Sequence, residues 1–250
     1  MISPGRNTID SMESVSPERV YCFDFDGVLC DSLDESLLTS YNAYFKEEVK
    51  SVAEIAPAMR DFFYTHRYLV RPAGEYYLLF HAFEQGETVV AQDRFLQLKS
   101  GLEQEMNDHA ERFYACRQRF KKDLDYWLGL HRLYPECVDF LERRSHRFFI
   151  VTNKDKDSVV ALARHHGYLH RVVDIYAREM GTDKRMLLQK LIEDRKLNPP
   201  TTRIVFVDDH AGTLGEVRQL PLELYQAAWG YTGRIESGAF RWIHSLDELP

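Results

Sequence analysis

Short apolar runs that alternate with helical stretches predict an α/β protein, a layered parallel sheet with a helical insert. Two observations carry that prediction. The runs Val20–Phe23, Arg147–Val151, Val172–Tyr176 and Arg203–Val207 are rich in β-branched and aromatic residues and bounded by polar positions; such runs suit strands buried on both faces of a parallel sheet. By contrast, the hundred or so residues after the first run contain no strand pattern and only helical periodicity.

In chain order, residues 1–18 hold Ser, Pro, Gly, Asn and Asp with few apolar positions and read as a frayed arm. The first strand follows and stops at Asp24. Leu33–Glu48 is amphipathic, with Leu37, Leu38, Tyr41, Tyr44 and Phe45 at helical spacing. The longest signal steps from Phe95 through Leu98, Leu102, Met106, His109, Phe113, Cys116, Phe120 and Leu124 to Trp127. Its mean step is about 3.6 residues, the helical period, and predicts one long amphipathic helix weakened only at Gly101. Packing within a helical bundle accounts for this stripe better than a cofactor or partner helix. After it, Pro135 suits the first turn of a helix carrying Cys137, Val138, Phe140 and Leu141. Asp157–His166 reads as a helix capped by Gly167, and Thr182–Lys196 as a helix stopped by Asn198-Pro199-Pro200. Leu222–Ala228 is a candidate fifth strand. The expected organisation is an arm over 1–18, an α/β core over 19–32 and 134–250, and a helical cap over 33–133.

Composition excludes several classes. With 44% hydrophobic and 28% charged residues the chain can bury a core. Its formal charge of −7 and the absence of a dense Lys/Arg block argue against nucleic acid as a partner. No apolar run approaches the ~20 residues that span a bilayer, and no signal-peptide core stands near the start, so no membrane partner is expected and the cytoplasm is the default compartment. Cys22, Cys30, Cys116 and Cys137 form no C-x-x-C pair, which suits a reducing environment.

The chemistry concentrates at strand ends. In Phe23-Asp24-Phe25-Asp26-Gly27 a strand gives way to two carboxylates one residue apart, at the edge where open α/β sheets place ligands. Asp24 and Asp26 do not both ionise comfortably at close range, so a divalent cation relieves them or one holds a proton. Both outcomes serve phosphoryl chemistry. A calcium loop, with Asp24, Asp26 and Glu35 at its first, third and twelfth positions, fails because Leu29 stands where that loop needs glycine. The run Ile204–Val207 also ends in carboxylates, Asp208 and Asp209. Two acidic pairs ending strands of one sheet fit a shared cation, and hard oxygen donors favour Mg²⁺. The adjacent His210 fits a hydrogen-bonding role better than a ligand role. Thr152 and Asn153 offer a hydroxyl and an amide to phosphate oxygens, and Lys184 begins a helix where an anion would offset the dipole.

These motifs resemble, in order, those of the haloacid dehalogenase superfamily of phosphohydrolases, in the branch with a helical cap inserted after the first strand. Asp24-Phe25-Asp26-Gly27-Val28-Leu29 is similar to the family's first motif, Thr152 to its second, Lys184 to its third and Asp208-Asp209 to its fourth. Val28 replaces a commoner threonine, Asp208 stands where many members have glycine, and no proline follows Lys184, for which Arg185 and Lys190 are the alternatives. The resemblance implies a Rossmann-like core with strand order 5-4-1-2-3 and Asp24 and Asp26 as the catalytic residues, nucleophile and acid/base. It implies phosphate binding by Thr152 and Lys184, beside which the amide of Asn153 joins as a candidate on its own chemistry. It also implies Mg²⁺ held by the side chains of Asp24 and Asp209 and the backbone carbonyl of Asp26, with Asp208 direct or through water. An acid at Asp26 points to phosphorus rather than carbon–halogen cleavage, since halide leaves unprotonated. The expected activity is Mg²⁺-dependent hydrolysis of a small phosphorylated metabolite through an aspartyl-phosphate. A phosphosugar mutase and a non-catalytic phosphate-sensing or protein-binding module are the alternatives, and a monomer or homodimer is expected. His66, Arg67, Arg71 and His81, beside Tyr68, Tyr76 and Tyr77, could line the mouth of the site, but each reads better as an ordinary surface or packing residue of the insert.

Overall fold

The computed structural model describes residues 18–143, 146–199, 201–231 and 240–250. The expected N-terminal arm lies outside them except for Glu18, which already begins the first strand. That strand, β1 (Glu18–Phe23), is followed by β2 (Cys30–Asp31) and the helices α1 (Leu33–Phe45), α2 (Pro57–His66) and α3 (Tyr76–Glu84). Next come α4 (Gln92–Gly101), α5 (Glu103–Phe120), α6 (Leu124–Gly129), β3 (Arg132–Leu133) and α7 (Pro135–Arg143). The remainder alternates: β4 (Phe148–Val151), α8 (Lys156–His165), β5 (Val172–Tyr176), α9 (Lys184–Asp194), β6 (Thr202–Asp208), α10 (Ala211–Val217), β7 (Leu222–Ala227) and β8 (Arg241–Ile243).

Six strands form one parallel sheet in the order β5-β4-β1-β6-β7-β8. Read from β7 to β5, the core strands follow the implied 5-4-1-2-3 order, and β8 adds an edge strand that its short sequence gives no reason to predict. Side chains alternate across β1 as a pleated strand requires. Tyr21 and Phe23 join a core with Phe140, Phe148 and Val159, whereas Cys22 joins Phe206, Leu187 and Leu214 on the opposite face. Both faces are covered, which is why these strands read as continuous apolar runs. All four cysteines are buried and free.

The insert departs from the one-helix expectation. The Phe95–Trp127 stripe is three helices, not one. The chain leaves helical geometry at Leu102 (φ −129°, ψ 33°), directly after Gly101, and turns again before Asp123, whose side chain accepts from the Tyr126 N–H to cap α6. Glycine lowers the cost of leaving the helix, and a capping carboxylate rewards restarting it. Phe95, Leu98, Met106, Phe113, Cys116, Phe120 and Trp127 stay buried across the breaks, but Leu124 is 48% exposed. Helix α1 ends at Phe45 rather than Glu48 because Lys46 adopts a left-handed conformation (φ 59°). At the base of the insert β2 and β3 pair antiparallel, Cys30 with Leu133 and Asp31 with Arg132, tying its entry to its exit. Among the described residues no helix is long and apolar enough to cross a membrane.

Candidate active site

Sheet register assembles the site. Phe23 pairs with Ile150 on one side and Val207 on the other, so β1, β4 and β6 end at one level. The next residues are Asp24, Thr152 and Asp209 with its neighbour Asp208. The Asp24 N–H donates to the Val207 carbonyl (2.9 Å) and the Thr152 N–H to the Tyr176 carbonyl (2.9 Å), extending the ladder to the site. The turn after Asp26 needs its glycine. Gly27 has φ +89°, and a Cβ there would come within 2.6 Å of Asp209 Oδ2. Asp24, Asp208 and Asp209 thus form a buried cluster with one oxygen from each within 4.8 Å of the others.

The charges are partly compensated. Lys184 Nζ lies 2.5 Å from Asp24 Oδ2 and 2.6 Å from Asp208 Oδ2. Burial opposes the lysine charge, but the two carboxylates outweigh it and raise its pKa. The alternatives Arg185 and Lys190 are half-exposed and pair with Asp183 and Asp194 instead. Burial pushes Asp24 up to about 8, and the charges of Asp208 and Asp209 add to the effect against Lys184. Asp209 is pushed up to about 7 by burial and by Asp208. One lysine does not neutralise this cluster. The donors are hard oxygens, buried and convergent, and they fit a divalent cation of the Mg²⁺ type.

Asp26 has a different environment. Its side chain stands outside the three-carboxylate cluster and accepts from Ser32 Oγ (2.5 Å) and Lys154 Nζ (3.0 Å). Burial alone would raise its pKa, but Lys154, Ser32 and Arg117 together hold it below the usual carboxylate value. Lys154 follows Thr152-Asn153 directly but belongs to none of the motifs the sequence offers. The available signal was a lysine at a strand end, two residues beyond a candidate phosphate ligand.

Thr152 and Asn153 line the cavity with Asp24, Asp26, Lys184, Asp208 and Asp209, so every candidate residue is brought together. Asn153 Oδ1 is buried and has no hydrogen-bond partner among the described residues. His210 caps α10, where its Nδ1 accepts from the Thr213 N–H, and its own N–H donates to Asp208 Oδ1 (2.8 Å); it takes the hydrogen-bonding role expected of it. The insert lines the cavity with Arg67, Tyr68 and Arg71, so for these three the alternative of lining the mouth of the site replaces the surface or packing reading. His66 is a packing residue, since its ring nitrogens engage the Phe62 carbonyl and the Val90 N–H. Tyr231 closes the cavity, and its N–H donates to Asp209 Oδ2 (2.7 Å).

The comparisons with known proteins agree with this architecture. No curated protein matches the chain in sequence. Among solved structures, the HAD-hydrolase YfnB from Bacillus subtilis, bound to magnesium, is similar at 16% identity, with a TM-score of 0.58 over 94% of this chain and 97% of that one. A predicted phosphoglycolate phosphatase from Haemophilus somnus is similar at 15% identity and a TM-score of 0.57, over 86% and 87% of the two chains. A predicted phosphatase from Clostridium acetobutylicum gives 15% identity and a TM-score of 0.55, over 94% and 97%. At these identities the likeness is one of fold. The family model for haloacid dehalogenase-like hydrolases matches residues 18–212, from the first strand past the second acidic pair. The chain therefore belongs to the haloacid dehalogenase-like hydrolases.

Proposed function

We propose that this hydrolase is a Mg²⁺-dependent phosphomonoesterase acting on a small phosphorylated metabolite through an aspartyl-phosphate. The observation that carries the reading is the division of labour between two carboxylates: Asp24 in an acidic cluster beside Lys184, and Asp26 set apart with Ser32 and Lys154. Asp24 is placed to attack phosphorus, while Lys184 and Thr152 stabilise the transferring phosphoryl oxygens. Asp24 and Asp209, with the Asp26 carbonyl, would hold Mg²⁺, which when bound neutralises phosphate charge. The ester oxygen leaves as an alkoxide and takes its proton from Asp26; the same carboxylate then accepts a proton from the water that hydrolyses the aspartyl-phosphate. Lys154 keeps Asp26 ionised before substrate arrives, which is the form the hydrolytic half uses. A phosphate dianion beside it raises its proton affinity by like-charge repulsion and prepares the acid half. The magnesium in YfnB and the predicted phosphatase names of two neighbours support this reading.

The test combines metal and nucleophile. Phosphate release from a panel of small phosphomonoesters should require Mg²⁺ and vanish in excess chelator. Mg²⁺ should also raise the melting temperature of the wild type, because a bound cation relieves the buried carboxylates. Asp24→Asn should fold and lose at least about 10³-fold in turnover, since an amide does not attack phosphorus. Full activity in chelator, or in the Asn variant, would sink the proposal.

A further inference from the structure

A second cavity adjoins the first and shares Asp26, Arg67, Arg71 and Asn153 with it. Its other walls include Tyr76, Tyr114, Arg117 and Lys154. Under the phosphomonoesterase reading, on which this inference rests, the phosphoryl group sits at Asp24 and the leaving oxygen faces Asp26. The rest of the leaving group then extends past Asp26 into this second cavity.

The cations around both cavities are not equivalent. Lys184 pairs with Asp24 and Asp208, Lys154 with Asp26, Arg71 with Glu216 and Arg117 with Glu35. Among the described residues Arg67 has no carboxylate within ion-pair distance. Its Nη1 donates to the Val70 carbonyl (2.7 Å), and among the described residues its buried Nε has no partner. Its guanidinium is held between two aromatic faces, 4.5 Å from the Tyr231 ring centroid and 5.2 Å from that of Tyr76. A half-buried, oriented guanidinium on the wall of both cavities, with no carboxylate paired to it, is matched by a planar or tetrahedral oxyanion.

We infer that the leaving group of the substrate is itself anionic, and that Arg67 is the specificity residue binding its carboxylate or second phosphate beside Asp26. The neutral tyrosines hold the guanidinium fork without consuming its charge, which leaves it available to the ligand. Lysine in its place would supply charge without the fork.

Matched esters test this. With Mg²⁺ present, kcat/KM is measured for 2-phosphoglycolate against ethyl phosphate, and for 1,3-propanediol bisphosphate against propyl phosphate. In the wild type one anionic ester should exceed its neutral partner by about 10–10²-fold, the worth of a charged hydrogen bond. Which pair shows the preference assigns the anion as carboxylate or phosphate. Arg67→Met should bring that ratio to near one, and Arg67→Lys should restore part of it. Wild-type ratios near one for both pairs, or equal losses on charged and neutral esters in Arg67→Met, would overturn the inference. If no ester is hydrolysed, the phosphomonoesterase reading fails instead. Titration calorimetry of 2-phosphoglycolate and the bisphosphate into Asp24→Asn, with and without Arg67→Met, then decides the anion site separately. Tenfold or greater weakening by the Met substitution supports the site, and unchanged binding or no binding of either anion overturns it.

Discussion

On its core side the cavity is walled by Asp24, Asp26, Asp208 and Asp209, and on its helical side by Arg67, Tyr68 and Arg71. The two walls differ in how they are held. The carboxylates sit on or just beyond strand ends, and the β1–β6 and β1–β4 ladders fix their backbone. The helical wall has no ladder beneath it. Arg67 stands in a single 3₁₀ turn after α2, and its neighbour Tyr76 is fixed by stacking on Phe63 and Phe113 at 5.3 and 5.6 Å. Backbone hydrogen bonding places the chemistry; side-chain packing places the recognition. A perturbation of the first wall should therefore cost turnover, and one of the second should cost stability or selectivity.

The largest expected effect sharpens the core side. Asp26→Asn should lower hydrolysis of alkyl phosphates by about 10²–10⁴-fold, the usual contribution of a general acid. Nitrophenyl phosphate should lose less, because nitrophenolate leaves without a proton. With that substrate the missing base should let aspartyl-phosphate accumulate, seen as a nitrophenolate burst followed by slow turnover. Equal losses on both substrates with no burst would remove Asp26 from the acid/base role.

Next comes the ion pair behind the helical wall. Glu35 on α1 is fully buried and accepts from Arg117 Nε (2.7 Å) and Nη2 (2.8 Å) on α5. Burial opposes its charge, but Arg117 and Lys154 hold the carboxyl well below the usual range. Breaking a buried pair leaves one charge uncompensated at a cost of about 3–5 kcal/mol. Asp155, 3.7 Å from Arg117, takes up part of that charge. Glu35→Gln should fall at the lower end of that range in urea unfolding, and Arg117→Met at the upper end. A loss below about 0.5 kcal/mol in both, typical of surface substitutions, would mean the pair does not anchor the insert.

The smallest effect is an opposite response to acid in the two regions. His109 is buried on α5 with neither ring nitrogen partnered among the described residues, and burial, with Arg112 nearby, pushes it down to about 3. The unfolded chain protonates this imidazole near pH 6.5, so the unfolded state binds more protons between the two values. Its contribution to stability is complete above about pH 6.5 and is lost as pH falls toward 3, by about 1.4 kcal/mol per pH unit. Metal-free Asp24 and Asp209 act in the other direction, because their folded pKa values are raised. With Mg²⁺ present to keep those carboxylates ionised, His109→Phe should flatten the stability profile between about pH 6 and 4 by roughly that slope. An unchanged slope would show that His109 is already protonated in the folded chain.

What the sequence determined by itself is the core and its chemistry. The runs that become β1, β4 and β6 are apolar and end in polar residues, and in a parallel sheet that end is the ligand edge, so Asp24, Thr152, Asp208 and Asp209 are legible as one constellation without any knowledge of pairing. Gly27 belonged to the motif for a reason visible only in space, since its positive φ and the nearness of Asp209 exclude a side chain. Tertiary structure alone decided the rest. It broke the Phe95–Trp127 stripe into three helices while burying most of its apolar residues, because periodicity reports a buried face and not the continuity of the backbone beneath it. It gave Lys154 to Asp26, and it turned Arg67 inward between Tyr76 and Tyr231. A lysine or arginine in a sequence reads as a solvated charge. Whether it instead turns inward beside a carboxylate or an aromatic face depends on the tertiary path of partners such as Asp26 and Tyr231, 128 and 164 residues away in the chain.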